Sequence, residues 1–318
     1  MTGKKGLLQI KKILCPTDFS DESAAAIRYS AELAKAYNAM VYVCHHNSPS
    51  WWKAEHSPST NIENLNHKIE ILINEHGDGE SFKWETVVIE GSLNTARCVA
   101  AFAAEMSCDL IVLSARHNAL TAPLFGLTLE RLIRASPCPV LILPADFQES
   151  KVQSNAGLNP QRILLNYDFS PKAGIILDYA LSLAGKFNAE LHLLYVPPVP
   201  EKVGIELSQT PAGRKIDEIQ VLGKLAAVAG EYADYRIITA LRPGNPQKEM
   251  TAYAARHKID LICTPAPEEK FYPEYLFPIW LRQTLENASI PVLVSPDSAE
   301  QFSKAFGAET ESYAFSGN

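Results

Sequence analysis

The chain repeats itself. The segment KILCPTDFSDESAAAIRYSAELAKAYNAMVYV, starting at Lys12, aligns without a gap with RILLNYDFSPKAGIILDYALSLAGKFNAELHL, starting at Arg162. Ile13, Leu14, Asp18, Phe19, Ser20, Tyr29, Leu33, Ala34, Asn38 and Ala39 meet Ile163, Leu164, Asp168, Phe169, Ser170, Tyr179, Leu183, Ala184, Asn188 and Ala189. The repeat ends align too: Asp109-Leu110-Ile111 with Asp260-Leu261-Ile262, and Pro139-Val140-Leu141 with Pro291-Val292-Leu293. Self-similarity over such a span means two copies of one folding unit. The 318 residues accommodate two domains of about 150 residues each.

Each copy alternates short apolar runs with helical patterns. In the first, ILCP, MVYVCHH, WETVVIE, DLIVLS and PVLIL read as strands. Ser20 stands at an N-cap position before an Ala-rich helix to Tyr37. Helices are expected over Ile62–Glu75, Leu93–Met106 and Leu124–Ala135. In the second copy the strands are ILLNY, LHLLYV, YRIITAL, DLICT and PVLVS, and Gly244-Asn245-Pro246 supplies a turn, an N-cap and an N1 proline. Strands alternating with helices, joined by right-handed crossovers, give an α/β fold. The expectation is two tandem doubly wound five-stranded parallel sheets, Rossmann-like, with strand order 3-2-1-4-5. The boundaries are a first domain over 8–145, a polar linker over 146–160 with Gly157 and Pro160, a second domain over 161–297, and a loosely held tail over 298–318.

Hydrophobic residues make up 47% and charged residues 20%, an ordinary globular balance. The net charge of -7 lacks the clustered Lys and Arg of a nucleic-acid footprint, and Lys4-Lys5 and Lys11-Lys12 read as solvated surface. No apolar run approaches the roughly 18 residues of a membrane span, and Met1–Gln9 has no apolar core of a signal peptide. The six cysteines show no CxxC or metal spacing and read as buried reduced thiols. A cytoplasmic protein that engages neither nucleic acid nor membrane is expected.

Doubly wound sheets bind ligands beyond the carboxyl ends of their strands, at the switch in strand order. That directs attention to Pro16-Thr17-Asp18-Phe19-Ser20 after the first strand and Ser114-Ala115-Arg116-His117 after the fourth. PTDFS after a first strand, DLIVL before a loop and ERLIRASPCPVLIL at the domain end resemble the universal stress protein family, over both copies and hence nearly the whole chain. The resemblance implies a five-stranded parallel sheet. It also implies a site between strands one and four that holds ATP in some members and nothing in others. The residues it points to for ATP or another adenine nucleotide in domain 1 are Pro16, Thr17, Asp18, Val43, Ser114, Arg116, His117, Gly126 and Thr128.

The sequence departs from the ATP-binding pattern of that resemblance, in which the loop after strand four reads G-x2-G-x9-G-[ST]. Glycines there let backbone amides approach the phosphates. In the first copy Ser114 and His117 replace the leading glycines, the gap to Gly126 is one residue short, and Leu127 precedes the hydroxyl of Thr128. In the second copy Pro265, Pro267 and Pro278 offer no N–H, and Glu268 and Glu269 repel phosphate.

Plain structural roles stand beside the functional ones. Asp18 and Asp168 either touch a ligand or cap the helix that follows. His45-His46 with His117 suggest a metal, but no Cys or carboxylate completes a ligand set. Trp51-Trp52 serve either as a lid or partner anchor or as a local cap over the core. No Walker A run, GxSxG, HExxH or GxGxxG is present, so nothing selects a catalytic set. The leading reading is a non-enzymatic stress-adaptation protein with degenerate nucleotide sites. A nucleotide sensor with an atypical site in domain 1 and an ATP-hydrolysing enzyme are the alternatives. The expected partners are the two domains for each other, as a pseudo-dimer through the fifth strands, a second copy as a homodimer, and an unidentified protein.

Overall fold

Strands buried on both faces need helices on both faces, and the chain supplies them alternately. The structure is a computed structural model and describes residues 8–47, 62–74, 82–90, 95–115, 125–144, 147, 158–197, 211–266, 289–296 and 312–316. The first half runs β1 (Lys12–Pro16), α1 (Asp21–Tyr37), β2 (Met40–Asn47), α2 (Ile62–Asn74), β3 (Lys83–Glu90), α3 (Thr95–Glu105), β4 (Leu110–Ser114), α4 (Phe125–Ala135) and β5 (Val140–Leu143). The second runs β6 (Arg162–Asn166), α5 (Pro171–Phe187), β7 (Glu190–Tyr195), α6 (Pro211–Gly230), β8 (Ile237–Leu241), α7 (Pro246–His257), β9 (Leu261–Thr264) and β10 (Val292–Val294). A last strand, β11, covers Ser312–Ser316.

The repeated residues do repeated work. Ser20 and Ser170 cap α1 and α5, their hydroxyls accepting from the amides of Ser23 and Ala173. Asn38 and Asn188 end those helices in the left-handed region, at φ 54° and 52°. The carboxylate of Asp109 accepts from the amides of Lys11 and Lys12 and so fixes the start of β1. Asp260 does the same for Gln161 and Arg162 at the start of β6.

The strand order is β11-β3-β2-β1-β4-β5-β10-β9-β6-β7-β8 in a single 11-stranded sheet. Each half keeps the order 3-2-1-4-5 with parallel pairing. The two expected sheets therefore merge into one. They join through antiparallel β5 and β10, with Leu293 opposite Leu141, which is the pairing expected of the apolar fifth strands. Side chains bridge the seam as well. The Tyr179 hydroxyl donates to the Asp109 carbonyl at 2.7 Å, and the hydroxyls of Tyr37 and Ser182 lie 2.9 Å apart. One buried apolar cluster holds Leu33, Leu110 and Leu141 together with Leu183, Leu261 and Leu293, so the halves share a core.

Two segments outside the repeats take part in the fold. The tail is not wholly loose: residues 312–316 pair antiparallel with β3, Ser312 opposite Glu90 and Ser316 opposite Thr86. An exposed edge strand invites such pairing, and β3 was the open edge of the first half. The linker is not only a polar spacer either. Phe147 and Leu158 pack against the core, with the Phe147 ring 5.9 Å from that of Tyr29 in an edge-on contact.

Candidate functional site

At the carboxyl ends of β1, β2 and β4 lies a cleft of ≈ 270 Å³. Its floor and walls come from Pro16, Thr17, Asp18, Ser20 and Ser23 after β1, Cys44, His45 and His46 of β2, Leu113 and Ser114 of β4, Thr95, Ala96 and Val99 of α3, and Leu129 and Leu132 of α4. The turn after β1 is held by its own side chains. Asp18 Oδ1 accepts from the amide of Ser20 at 3.2 Å and from its hydroxyl at 2.7 Å. The Thr17 hydroxyl accepts from the Phe19 amide, and since Ser23 Oγ donates to the Ser20 carbonyl, Thr17 must donate to Ser23. These bonds hold Phe19 at φ 62°, an uncommon conformation for a bulky residue. Phe169 repeats it at φ 63°.

Further up the wall, His45 Nδ1 lies 3.0 Å from the Thr17 carbonyl, which fixes the proton on Nδ1. The Thr95 hydroxyl lies 3.1 Å from His46 Nδ1 and ties α3 to β2. Ser114 Oγ is buried with no hydrogen-bond partner among the described residues, a position a ligand group would satisfy.

The cleft brings together Pro16, Thr17, Asp18 and Ser114 of the expected set. Asp18 is exposed and braces Ser20, the residue that caps α1, whatever else it does. Gly126 and Thr128 stand in the first turn of α4. Arg116, His117, Trp51 and Trp52 lie outside the described residues. The Val43 side chain is not in the cleft: it is 1% exposed, in the core with Cys15 and Leu110, because it stands deeper in β2 than His45, which shares its face and reaches the cleft nearer the strand's carboxyl end. The contributions of Thr95, Ala96, Val99, Leu129 and Leu132 were not legible, since no local motif marks a helix face turned toward a distant strand.

Among the described residues no group of three or more His, Cys, Asp or Glu side chains is placed to hold a metal ion. All six cysteines are buried, and none is in a disulfide. Burial pushes Cys15 and Cys108 up to about 12, and also raises Cys44, Cys138 and Cys263. No thiolate nucleophile comes from these five at neutral pH.

The profile of the universal stress protein family matches residues 9–144 and 159–296. The chain belongs to the universal stress protein family. Universal stress protein MJ0531 of Methanocaldococcus jannaschii is 30% identical over 144 residues, 42% of this chain and 81% of its own length. Universal stress protein Sll1654 of Synechocystis is 29% identical over 146 residues, 44% of this chain and 88% of its own. Two solved structures are similar across both halves. A universal stress protein from Archaeoglobus fulgidus has a TM-score of 0.60 at 17% identity, covering 92% of this chain and 98% of its own. A functionally unknown Pseudomonas aeruginosa protein has 0.62 at 16%, covering 93% and 98%. These two establish the fold.

Within this universal stress protein the second half places different side chains at the positions that line the cleft. The registers put Tyr195 where His45 stands and Leu194 where Cys44 stands. The Phe169 ring meets that of Tyr167 edge-on at 5.1 Å and that of Tyr195 at a tilt at 5.4 Å, where the first half has Thr17, Phe19 and His45. Val196 and Ala266 are buried at 7% and 4% in the apolar cluster, and the Ala266 amide is taken by Ser295 Oγ. No helix among the described residues is long and apolar enough to cross a membrane.

Proposed function

We propose that this universal stress protein binds an adenine nucleotide in the first half alone, and acts through that binding rather than through turnover. The observation that carries the reading is the contrast between halves: a polar-rimmed cleft beside Asp18 and Ser114 in one, and Tyr167, Tyr195 and Val196 at the equivalent positions of the other. Family membership supports the adenine class, and the buried Ser114 hydroxyl supports a ligand with polar groups at that depth. The loop after β4 lacks the leading glycines, so phosphates gain few backbone donors. AMP and ATP are therefore expected to bind within about tenfold of each other.

Calorimetric titration with ATP, ADP and AMP tests this on the full chain. Asp18→Ala is expected to weaken binding by about tenfold to a hundredfold, the worth of one hydrogen bond to charge at roughly 1.5–3 kcal/mol. Asp168→Ala is expected to leave it unchanged. Binding abolished by Asp168→Ala and kept by Asp18→Ala overturns the assignment. Nucleotide hydrolysis above background, lost when a cleft residue is changed, overturns the non-catalytic role.

A further inference from the structure

We infer that β11, the C-terminal strand, positions the α3 wall of the first-half cleft, so that nucleotide affinity depends on the tail being paired. The inference rests on the cleft being the nucleotide site. Its basis is a ladder of registered residues from tail to cleft. Tyr313 lies opposite Ile89, and Ile89 lies opposite His46, a cleft residue. One step on, Ser312 is registered with Glu90 and Glu90 with Asn47. The next described element after β3 is α3, beginning at Thr95, whose hydroxyl meets His46 Nδ1 and whose turn carries Ala96 and Val99 into the cleft.

Without β11, β3 is the outermost strand. Its outward amides and carbonyls then lose their partners to water, and edge strands open first. Thr86, Val87, Val88 and Ile89 are all buried in the structure, at 1%, 0%, 3% and 0% exposure. The second half supplies the contrast inside the same molecule. β8, the strand equivalent to β3, ends the sheet, none of its residues is buried, and Ile238 is 41% exposed. Among the described residues the added strand thus accompanies the half with the cleft, and β8 carries no such partner.

The test compares the full chain with a chain ending at Glu311 and with Ala314→Pro, which removes one amide from β11 and keeps every other residue. Two quantities are read: amide hydrogen exchange along β2, β3 and the first turn of α3, and the ATP dissociation constant. In both variants β3 amides are expected to exchange faster by about tenfold or more. Thr95–Val99 should follow, and ATP affinity should fall by roughly tenfold. Faster exchange confined to β3, with Thr95–Val99 and ATP affinity unchanged, overturns the inference. If the full chain binds no ATP, the nucleotide assignment fails by that result alone. The exchange at Thr95–Val99 then still decides whether the tail holds the cleft wall. If truncation unfolds the chain, Ala314→Pro supplies the same comparison in a chain of native length.

Discussion

His192 occupies in the second half the place Tyr42 holds in the first, since both stand opposite the equivalent leucines Leu164 and Leu14. Tyr42 meets Phe102 edge-on, an apolar contact. His192, 1% exposed, instead hydrogen-bonds through Nδ1 to the Tyr253 hydroxyl and through Nε2 to Glu190 Oε1, each at 2.9 Å. Burial lowers the His192 pKa from its ordinary value. The hydrogen bond and charge of Glu190 oppose that shift, and His257 and Arg162 reinforce it. A lowered folded-state pKa means that the unfolded chain binds the proton more readily. The stability contributed by neutral His192 is then whole above the unfolded pKa of about 6.5 and declines as pH falls below it. Replacing the pair by His192→Tyr with Tyr253→Phe installs the first half's residues and should flatten that decline. Urea unfolding at about pH 7.5 and about pH 5.5 checks this: the wild-type midpoint should drop more between the two than the double variant's. At this scale the sequence told little about which way each side chain faces. Strands covered on both sides read as continuous apolar runs, so nothing in MVYVCHH says that Val43 enters the core while Cys44 and His45 reach the cleft.

The helices and strands themselves were legible wherever local chemistry is repeated. The Ser20 and Ser170 caps, the Asn245 cap with Pro246 behind it, and the apolar strand runs all form within a residue or two of expectation. β11 was missed because SYAFS has no counterpart in the repeat and no turn signal. It is a strand only because β3 offers it an edge. The two caps also give a matched experiment. Each serine accepts from an amide three residues on, at 3.3 Å for Ser20 and 3.1 Å for Ser170. Ser170→Ala and Ser20→Ala should each cost about 1 kcal/mol of stability. Ser20 also lines the cleft, whereas Ser170 belongs to the half that has Tyr167 at the position equivalent to Thr17. Ser170→Ala should therefore leave nucleotide affinity unchanged while Ser20→Ala lowers it. Denaturant melts paired with titrations separate the two effects, and a binding loss with Ser170→Ala contradicts the asymmetry of the halves.

A fused repeat could fold as two independent beads, and the seam argues against that here. β5 and β10 close one edge of each half against the other. Leu141 and Leu293, opposite each other at the centre of that pairing, are 3% and 1% exposed in a cluster that also takes Leu33, Leu110, Leu183 and Leu261 from both sides. Tyr179 carries a hydrogen bond across to Asp109, the residue whose carboxylate anchors β1, so the second half holds part of the first half's framework. A cavity made on one side should then be felt on the other. Leu293→Ala removes a buried side chain at the seam and should cost about 2–5 kcal/mol. The slowest-exchanging amides of β1 and β4, in the opposite half, should lose protection by the same free energy as those of β6 and β9. The unfolding curve should remain one transition. Amide exchange on the full chain decides it: if β1 and β4 keep wild-type protection while β6 and β9 lose theirs, the halves are separate cooperative units and the seam is only a contact between them.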